Sequence, residues 1–588
     1  MSRKFSPPWD ETNPTPDAAA GNGKTRNYHE LVRELTEPQR QPWVDPHQTV
    51  VDSPREYRDP WLTGGWFAKL VQDHDPLAAK ERVDFPSSGS RWIIAVILLV
   101  QAMLSIRLLT ANTTFPDEGL YLFTGFLQVS HQIPLTQLTG LATWFSGSPE
   151  IYPPTGALAA HLGGVAGARL LSLGFMLFTT GALYAVTRRL WSSRLPAIFA
   201  AALFGWLGSV QFLGSFATYD AMALSLLALA TWLGVRAAAC RLPASAALLA
   251  AATICLLVAN ATKYMSTLYD PVVVAVIALQ TWRVRQRTAA LATGCAMAVG
   301  TAVLVVGAYW IAGSYYQYGI GFSTLTRAMS DTPPSQVLAA SGRWIGVLVV
   351  VATGAAIAIG RRYRNRATTL LAWVLTAAAL LVPIQEARIH TTVSLYKHVG
   401  FGAWFACAAA GWILAYAFDA DNRGERAEET KRRLTPGRVI AILAVAGSAA
   451  IGVISSTTQF HNWPNSSAAT TELTRLVHPQ GEYLAEDFDQ FTYYLRDDIP
   501  LAQWWNTWSF NYTDPKTNKE LANTAAYAAA IRDRYFSVIV LDYQDTDTTD
   551  RAIQLDIDKY HDYRLAASIP FTTSAGPGRY LFWIPASR

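Results

Sequence analysis

IIAVILLVQAMLSIRLLTANTTFPDEGLYLFTG, residues 93–125, decides how the rest of the chain is read. Residues 93–109 are apolar apart from Gln101, Ser105 and Arg107. A bilayer core needs about 20 such residues per helix. Directly after this run come two adjacent acids, Asp117 and Glu118, and the whole stretch from Asn112 to Ala168 contains no Lys or Arg. The chain therefore reads as a transmembrane helix that leads into an acidic loop.

The apolar half of this pattern recurs. Further runs lie at 166–187, 195–214, 218–236, 243–261, 266–282, 289–312, 343–360, 367–384, 399–418 and 437–457. We expect a mainly α, polytopic membrane protein with about eleven transmembrane helices. Composition agrees: 15% of residues are charged, against about 25% in soluble domains. Three parts follow. Residues 1–90 are expected to be a cytoplasmic, largely disordered tail rich in Pro, Asp, Thr and Arg. Within it, Trp61, Trp66, Phe67, Leu70 and Val71 suit either a short interfacial helix or a linker. Residues 91–457 form the membrane domain. Residues 458–588 alternate strand-like segments (GEYLAED, FSVIVLDY, YRLAASIPF, GRYLFWIP) with the helix-like LANTAAYAAAIRDRY, as expected of a small extracytoplasmic α/β domain.

Loop charge sets the orientation. Alternate loops carry Arg188, Arg189 and Arg194; Arg236 and Arg241; Arg283, Arg285 and Arg287; the RRYRNR run at 361–366; and Arg423, Arg426, Lys431, Arg432 and Arg433. These loops are expected on the cytoplasmic side of the plasma membrane, with the N-terminus inside and, after an odd number of spans, the C-terminal domain outside. No signal peptide is recognisable, so the first apolar run is expected to act as the membrane signal. The net charge of +5 belongs to these topological arginines. No basic stripe with interleaved aromatics accompanies it, which argues against a nucleic-acid partner. The four cysteines, Cys240, Cys255, Cys295 and Cys407, lie in or beside apolar runs and include no CxxC, which argues against a structural zinc site.

Positive residues on the expected outer side are scarce: Lys263, Arg327, Arg388 and Lys397, with His390 and His398 beside the last two. Each has an ordinary reading as a residue that snorkels to water. The cluster EARIHTTVSLYKH at 386–398 is harder to explain that way, and its natural client is an anion such as a lipid phosphate. Arg169, in the second run, suits an outer-leaflet phosphate or an acid inside the bundle. Gly163 and Gly167 have the spacing of close helix packing. For Asp117 and Glu118, Pro116 marks a helix start with acids in its first turn. An acid there can also take a proton from an acceptor hydroxyl or hold a metal.

In order along the chain, FPDEGLYLFTG at 115–125, YPPTG at 152–156, GARLLSLGF at 167–175, TYDAMALSLLALATWL at 218–233, NATKYMS at 260–266 and HTTVSLYKHVGFGAWFA at 390–406 resemble the GT-C superfamily of membrane glycosyltransferases. The likeness covers roughly residues 90–460. It is nearest to bacterial relatives of protein O-mannosyltransferases and lipid A aminoarabinose transferases. The resemblance implies a GT-C-like fold, with Asp117 as the catalytic residue that deprotonates the acceptor and Glu118 as the acid beside it. It implies Lys263, Arg388, Lys397 and His398, together with Arg169, as candidates to hold the donor phosphate. Tyr121, Tyr152 and His390, within or beside these motifs, are the candidate sugar and acceptor contacts. The donor is then a polyprenyl-phosphate sugar, and the acceptor a protein, a glycolipid or a wall polysaccharide. No particular cofactor is implied, and a divalent metal is possible, although one acidic pair is thin ligation.

The expected activity is transfer of a sugar to a hydroxyl at the outer face of the membrane, with inversion. A lipid-linked sugar flippase has the same spans and ligand but needs polar groups along a path through the bilayer. A non-catalytic scaffold would bind glycans through Trp504, Trp505 and Trp508, which equally suit a core or a membrane interface.

Overall fold

The computed structural model describes residues 92–131, 144–325, 329–419 and 435–586. The expectations for the tail and its aromatic segment, for Arg327 and for the arginine-rich loop at 423–433 lie outside these residues. The first part of the chain is helical: α1 (Trp92–Ile106), α2 (Pro116–Val129), α3 (Tyr152–Leu190), α4 (Arg194–Gly205), α5 (Gly208–Leu213), α6 (Tyr219–Ala237), α7 (Leu242–Thr262), α8 (Asp270–Val284), α9 (Arg287–Ile311) and α10 (Gly313–Ile320). It continues with α11 (Pro334–Arg362), α12 (Arg366–Ala377), α13 (Leu381–Arg388), α14 (Leu395–Asp419) and α15 (Pro436–Phe460).

Among the described residues eight helices, not eleven, are long and apolar enough to cross a membrane. The three runs that fall short are broken by their backbone. The first run stops at Ile106 and passes into turns. The third divides into α4 and α5 around Trp206 and Leu207. The sixth opens as a 3₁₀ turn over Tyr264–Tyr269 before α8 begins at Asp270–Pro271. Burial ranks the long helices by position. The apolar window of α14 is 78% buried, so it is central; those of α9 and α15 are 17% and 22% buried. These outer helices leave Val299, Val303, Ile440, Leu443 and Ile454 exposed, an apolar surface suited to lipid rather than water.

α3 is two helices joined at a kink. Gly163 and Gly164 leave the helical region, and Gly164 adopts φ +59°, a conformation that costs L side chains energy. The spacing of Gly163 and Gly167 therefore marks a bend, not two packing contacts. Only Gly167 is crowded, by the carbonyl of Ala159 in the preceding arm.

The C-terminal domain contains α16 (Ser467–Leu476), α17 (Phe488–Tyr494), α18 (Thr524–Arg532) and α19 (Asp547–Tyr560). Its strands are β1 (Tyr483–Ala485), β2 (Trp504–Asn506), β3 (Asn511–Asp514), β4 (Lys519–Ala522), β5 (Val538–Leu541), β6 (Tyr563–Thr573) and β7 (Gly576–Pro585). The four strand-like segments of the sequence are β1, β5, β6 and β7. They join β2 in a sheet of order β2-β1-β5-β7-β6, and β3 pairs with β4 in a separate hairpin. β1 runs parallel to both β2 and β5, while β7 is antiparallel to β5 and β6. Both faces of the sheet are covered: Tyr483, Ala485, Val538 and Val540 pack on one side, Leu484, Ile539 and Leu541 on the other. That double burial explains the near-continuous apolar run of β5.

This domain sits on α2. The Cβ of any residue in place of Gly119 would lie 2.2 Å from the carbonyl oxygen of Asp489, at the start of α17. Tyr493 packs against Leu122, Phe123 and Leu127, and the Tyr494 hydroxyl accepts a hydrogen bond from the Thr114 amide at 3.0 Å. The helix that carries Asp117 is thus held between the bundle and the α/β domain.

Candidate active site

α2 begins as its sequence requires. Pro116 occupies the first turn, where its missing N–H is not needed. Glu118 reaches back to accept from the Phe115 amide at 3.0 Å. This sends the two adjacent acids in different directions, about 100° apart around the helix.

Glu118 turns inward and is fully buried. Arg169 donates to it through Nε at 2.8 Å and Nη2 at 2.6 Å. The remaining guanidinium donors go to the carbonyls of Leu109, Asn112 and Thr113 at 2.8, 3.0 and 3.0 Å. The Ala217 amide completes the Glu118 shell at 2.7 Å. All five donors of Arg169 are used within the protein, which leaves none for a phosphate. Of the two readings that the sequence allowed for Arg169, an acid inside the bundle is the one the geometry satisfies. Glu118 joins α2, α3, the loop after α1 and the loop before α6.

Asp117 turns the other way, and its side chain keeps 34% of its exposure. Its Oδ2 accepts from Lys397 Nζ at 2.7 Å. Lys397 lies in the first turn of α14 and also faces Asp220 Oδ2 at 3.6 Å. Asp220, in the first turn of α6, is fully buried. Lys263 Nζ, just past the end of α7, stands 3.3 Å from its Oδ1 and 4.5 Å above the Tyr219 ring. His398 Nε2 lies 3.5 Å from the same oxygen, and its Nδ1 lies 2.7 Å from Glu386 Oε1. Thr218 Oγ1 donates to Asp220 Oδ2 at 2.9 Å. One buried carboxylate therefore gathers two lysines and a histidine from the end of α7 and the start of α14, and one of those lysines reaches out to Asp117.

Other candidates take different places. Tyr121 is buried with its hydroxyl donating to that of Tyr219 at 2.6 Å; Tyr219 also bonds Ser146 Oγ at 2.9 Å. Tyr152 is fully buried at the start of α3. Arg388 is exposed in the last turn of α13, and His390 has φ +56° in the turn behind it. Neither belongs to the Asp220 cluster. Asp220, Glu386 and Tyr219 are the residues that sequence reasoning missed, although TYDAM and EARIH contain them. Two outer lysines near apolar runs require a buried counter-charge, and that requirement was the available signal. Of the three tryptophans, Trp504 is buried, Trp505 is half-buried with its Nε1 on Glu482 at 2.6 Å, and Trp508 is exposed.

The first-loop acids do not converge, so they offer no shared metal position. Among the described residues, the group with the geometry to hold a metal ion stands in the α/β domain: Glu486, Asp542 and Asp550, with ligand atoms within 4.8 Å of one another.

No family model and no curated protein sequence matches this chain. Solved structures do. The chain is similar to ArnT from Cupriavidus metallidurans bound to undecaprenyl phosphate, at 12% identity and TM-score 0.51, over 84% of this chain and 98% of that one. It is also similar to the apo state of the same protein, at 13% identity and TM-score 0.49, over 83% and 97%. A third is the Archaeoglobus fulgidus oligosaccharyltransferase in the apo form, at 11% identity and TM-score 0.46, over 84% and 75%. The first of these shows the fold: the chain is a mainly α, polytopic membrane protein with a C-terminal domain, folded like that ArnT structure.

Proposed function

We propose that the chain is a membrane glycosyltransferase that moves a sugar from a polyprenyl-phosphate donor to a hydroxyl acceptor at the outer face of the membrane. The observation that carries this reading is the Asp117–Lys397 pair, a partly exposed carboxylate held by a buried ammonium. The ligand named for the ArnT structure, undecaprenyl phosphate, supports the donor class.

The chemistry follows from the pair. An arriving donor phosphate competes for Lys397, the cation at the exposed end of the cluster. Transfer of Lys397 from Asp117 to phosphate leaves Asp117 as the acid that solvent and acceptor can reach. The acceptor oxygen attacks the anomeric carbon, its proton passes to Asp117, and the carbon–oxygen bond to phosphate breaks. Polyprenyl phosphate leaves with the bonding pair, stabilised by Lys397. Direct attack inverts the anomeric centre. Lys263 and His398 act behind Lys397 by sharing Asp220 and so fixing the cluster. Charge stabilisation of this kind is commonly the largest catalytic contribution, and a general base adds about 10²–10⁴-fold.

For orientation, Asp220 and Arg236 lie at opposite ends of α6. The arginines that close α3, α8 and α11 favour the far end as cytoplasmic. The α/β domain, packed on α2, then lies outside.

The test uses membranes containing the full chain, supplied with a radiolabelled polyprenyl-phosphate sugar. Asp117→Asn is expected to lower formation of glycosidic product by about 10²–10⁴-fold at normal expression. Undiminished transfer would remove Asp117 from the reaction. Movement of donor across the membrane with no new glycosidic bond would favour a flippase instead.

A further inference from the structure

β1 and β5 are parallel neighbours, and ligands of open parallel sheets gather at the carboxyl ends of such strands. Glu486 follows β1 directly and its amide donates to the Val540 carbonyl at 3.2 Å. Asp542 follows β5 directly, and Asp550 lies in the first turn of α19. The fold thus delivers three carboxylates to one edge, and their exposures are 6%, 2% and 0%.

Hydrogen bonds serve Glu486 well and Asp542 not at all. Glu486 Oε1 accepts from the amides of Gln544, Asp545 and Thr546 at 3.0, 2.6 and 2.7 Å, and Oε2 from the Asp542 amide at 3.1 Å. Asp550 accepts from the Tyr543 amide at 3.2 Å and from Thr546 Oγ1 at 3.0 Å. Neither carboxylate oxygen of Asp542 meets a donor. Among the described residues no Lys, Arg or His pairs with any of the three. Asp487, next to Glu486, is buried as well, with the Tyr580 hydroxyl on its Oδ2 at 2.6 Å. So much uncompensated negative charge is not tolerated in an interior unless it takes up protons or a cation.

We propose that Glu486, Asp542 and Asp550 bind a hard divalent cation, Ca²⁺ or Mg²⁺, that fastens the segment 542–546 to the sheet edge. The ligand set contains only oxygen, which suits these ions rather than zinc or copper. Oxygens about 2.4 Å from a central Ca²⁺ lie no more than about 4.8 Å apart, and the three carboxylates meet that limit. Asp542, with both oxygens unclaimed, is the ligand the ion would complete. Protons take its place without a cation: burial and the Glu486 carboxylate push Asp550 up to about 9, and burial and Asp487 push Asp542 well above the usual carboxylate range. The fastened segment carries Asp545, which feels the charge of Asp117. An ion here would therefore steady the side of the active site formed by the α/β domain. The site stands independently of the reaction proposed above.

The test uses full-length protein in detergent, stripped with EDTA and dialysed. Metal content and thermal unfolding are then measured with Ca²⁺ alone, Mg²⁺ alone or chelator. We expect one equivalent of bound Ca²⁺ or Mg²⁺ and an upward shift of several degrees in Tm. Asp542→Asn should abolish both, while raising the Tm of the metal-free protein because a neutral amide need not take up a proton to be buried. That opposite sign separates loss of the site from simple misfolding. Wild-type protein that retains less than about a tenth of an equivalent at millimolar Ca²⁺ and Mg²⁺, far above typical dissociation constants for sensor sites, would overturn the proposal. A Tm shift that Asp542→Asn leaves intact would overturn it too.

Discussion

Replacing Asp220 with Asn removes one charge from the centre of the cluster and leaves its shape. Lys263 stands 3.3 Å away, His398 3.5 Å and Lys397 3.6 Å. At an effective dielectric of about 20, a unit charge at these lysine distances attracts by about 5 kcal/mol each. Most of this gross attraction offsets the cost of burying the charges. The measurable loss is that of leaving both lysines in the interior, Lys397 with Asp117 alone and Lys263 with no other carboxylate within ion-pair distance among the described residues. Breaking a buried pair in this way costs about 3–5 kcal/mol. Asp220→Asn is expected to unfold or inactivate at a markedly lower temperature than wild type, followed by fluorescence in detergent. Adding Lys263→Met removes one orphaned cation, and the double variant should recover more than half of the loss. An Asp220→Asn protein within about 1 kcal/mol of wild type, below the usual cost of an orphaned buried charge, would refute the view that Asp220 holds the lysines in place.

Glu118→Ala strands the Arg169 guanidinium in the interior and should cost about 3–5 kcal/mol. Paired with Arg169→Met, much of that loss should return in the same unfolding assay. Gly119→Ala pushes a methyl against the Asp489 carbonyl, 2.2 Å from the ideal Cβ position. We expect destabilisation of about 1–3 kcal/mol and faster proteolysis between the bundle and the α/β domain, read by gel. Gly164→Ala has open space around its Cβ but sits at φ +59°. It should therefore lose about 1–3 kcal/mol through backbone strain alone, with no change in packing detectable by cross-linking.

The fold was legible where one physical rule acts locally. Each apolar run became largely helical because the backbone must satisfy its own hydrogen bonds in lipid. Length was not legible in the same way. The breaks at Trp206–Leu207 and over Tyr264–Tyr269 depend on tertiary contacts. One example is the Gly208 backbone, so close to Ser455 and Tyr396 that a Cβ there would lie 2.2 Å from the Ser455 hydroxyl. In the site, Asp117, Lys263, Lys397 and His398 were found because charge is conspicuous against an apolar background. Asp220 was passed over because an acid after Thr218 is also an ordinary helix start. Its charge became meaningful only when the ends of α6, α7 and α14 were seen to meet. Arg169 illustrates the reverse: the sequence showed the cation, and only the structure showed that a neighbouring acid and three carbonyls had already claimed it. The carboxylates at the ends of β1 and β5 gave no spacing signal, because they are brought together by strand pairing across more than fifty residues.

The loop before Asp117 is closed by the end of α15 and the turn that follows it. Asn112 Nδ2 donates to the carbonyls of Phe460 and Trp463, Trp463 Nε1 donates to the Thr113 carbonyl, and the Ser466 amide donates to Thr113 Oγ1. These contacts link residues about 350 positions apart. During synthesis the first loop emerges early and waits for the last long helix before it can be locked. At about 5–20 residues per second, that wait lasts tens of seconds. A ribosome-stalled product that stops before Ser466 therefore lacks the clasp, and the loop that leads to Asp117 would be secured only once α15 and the turn after it have been made.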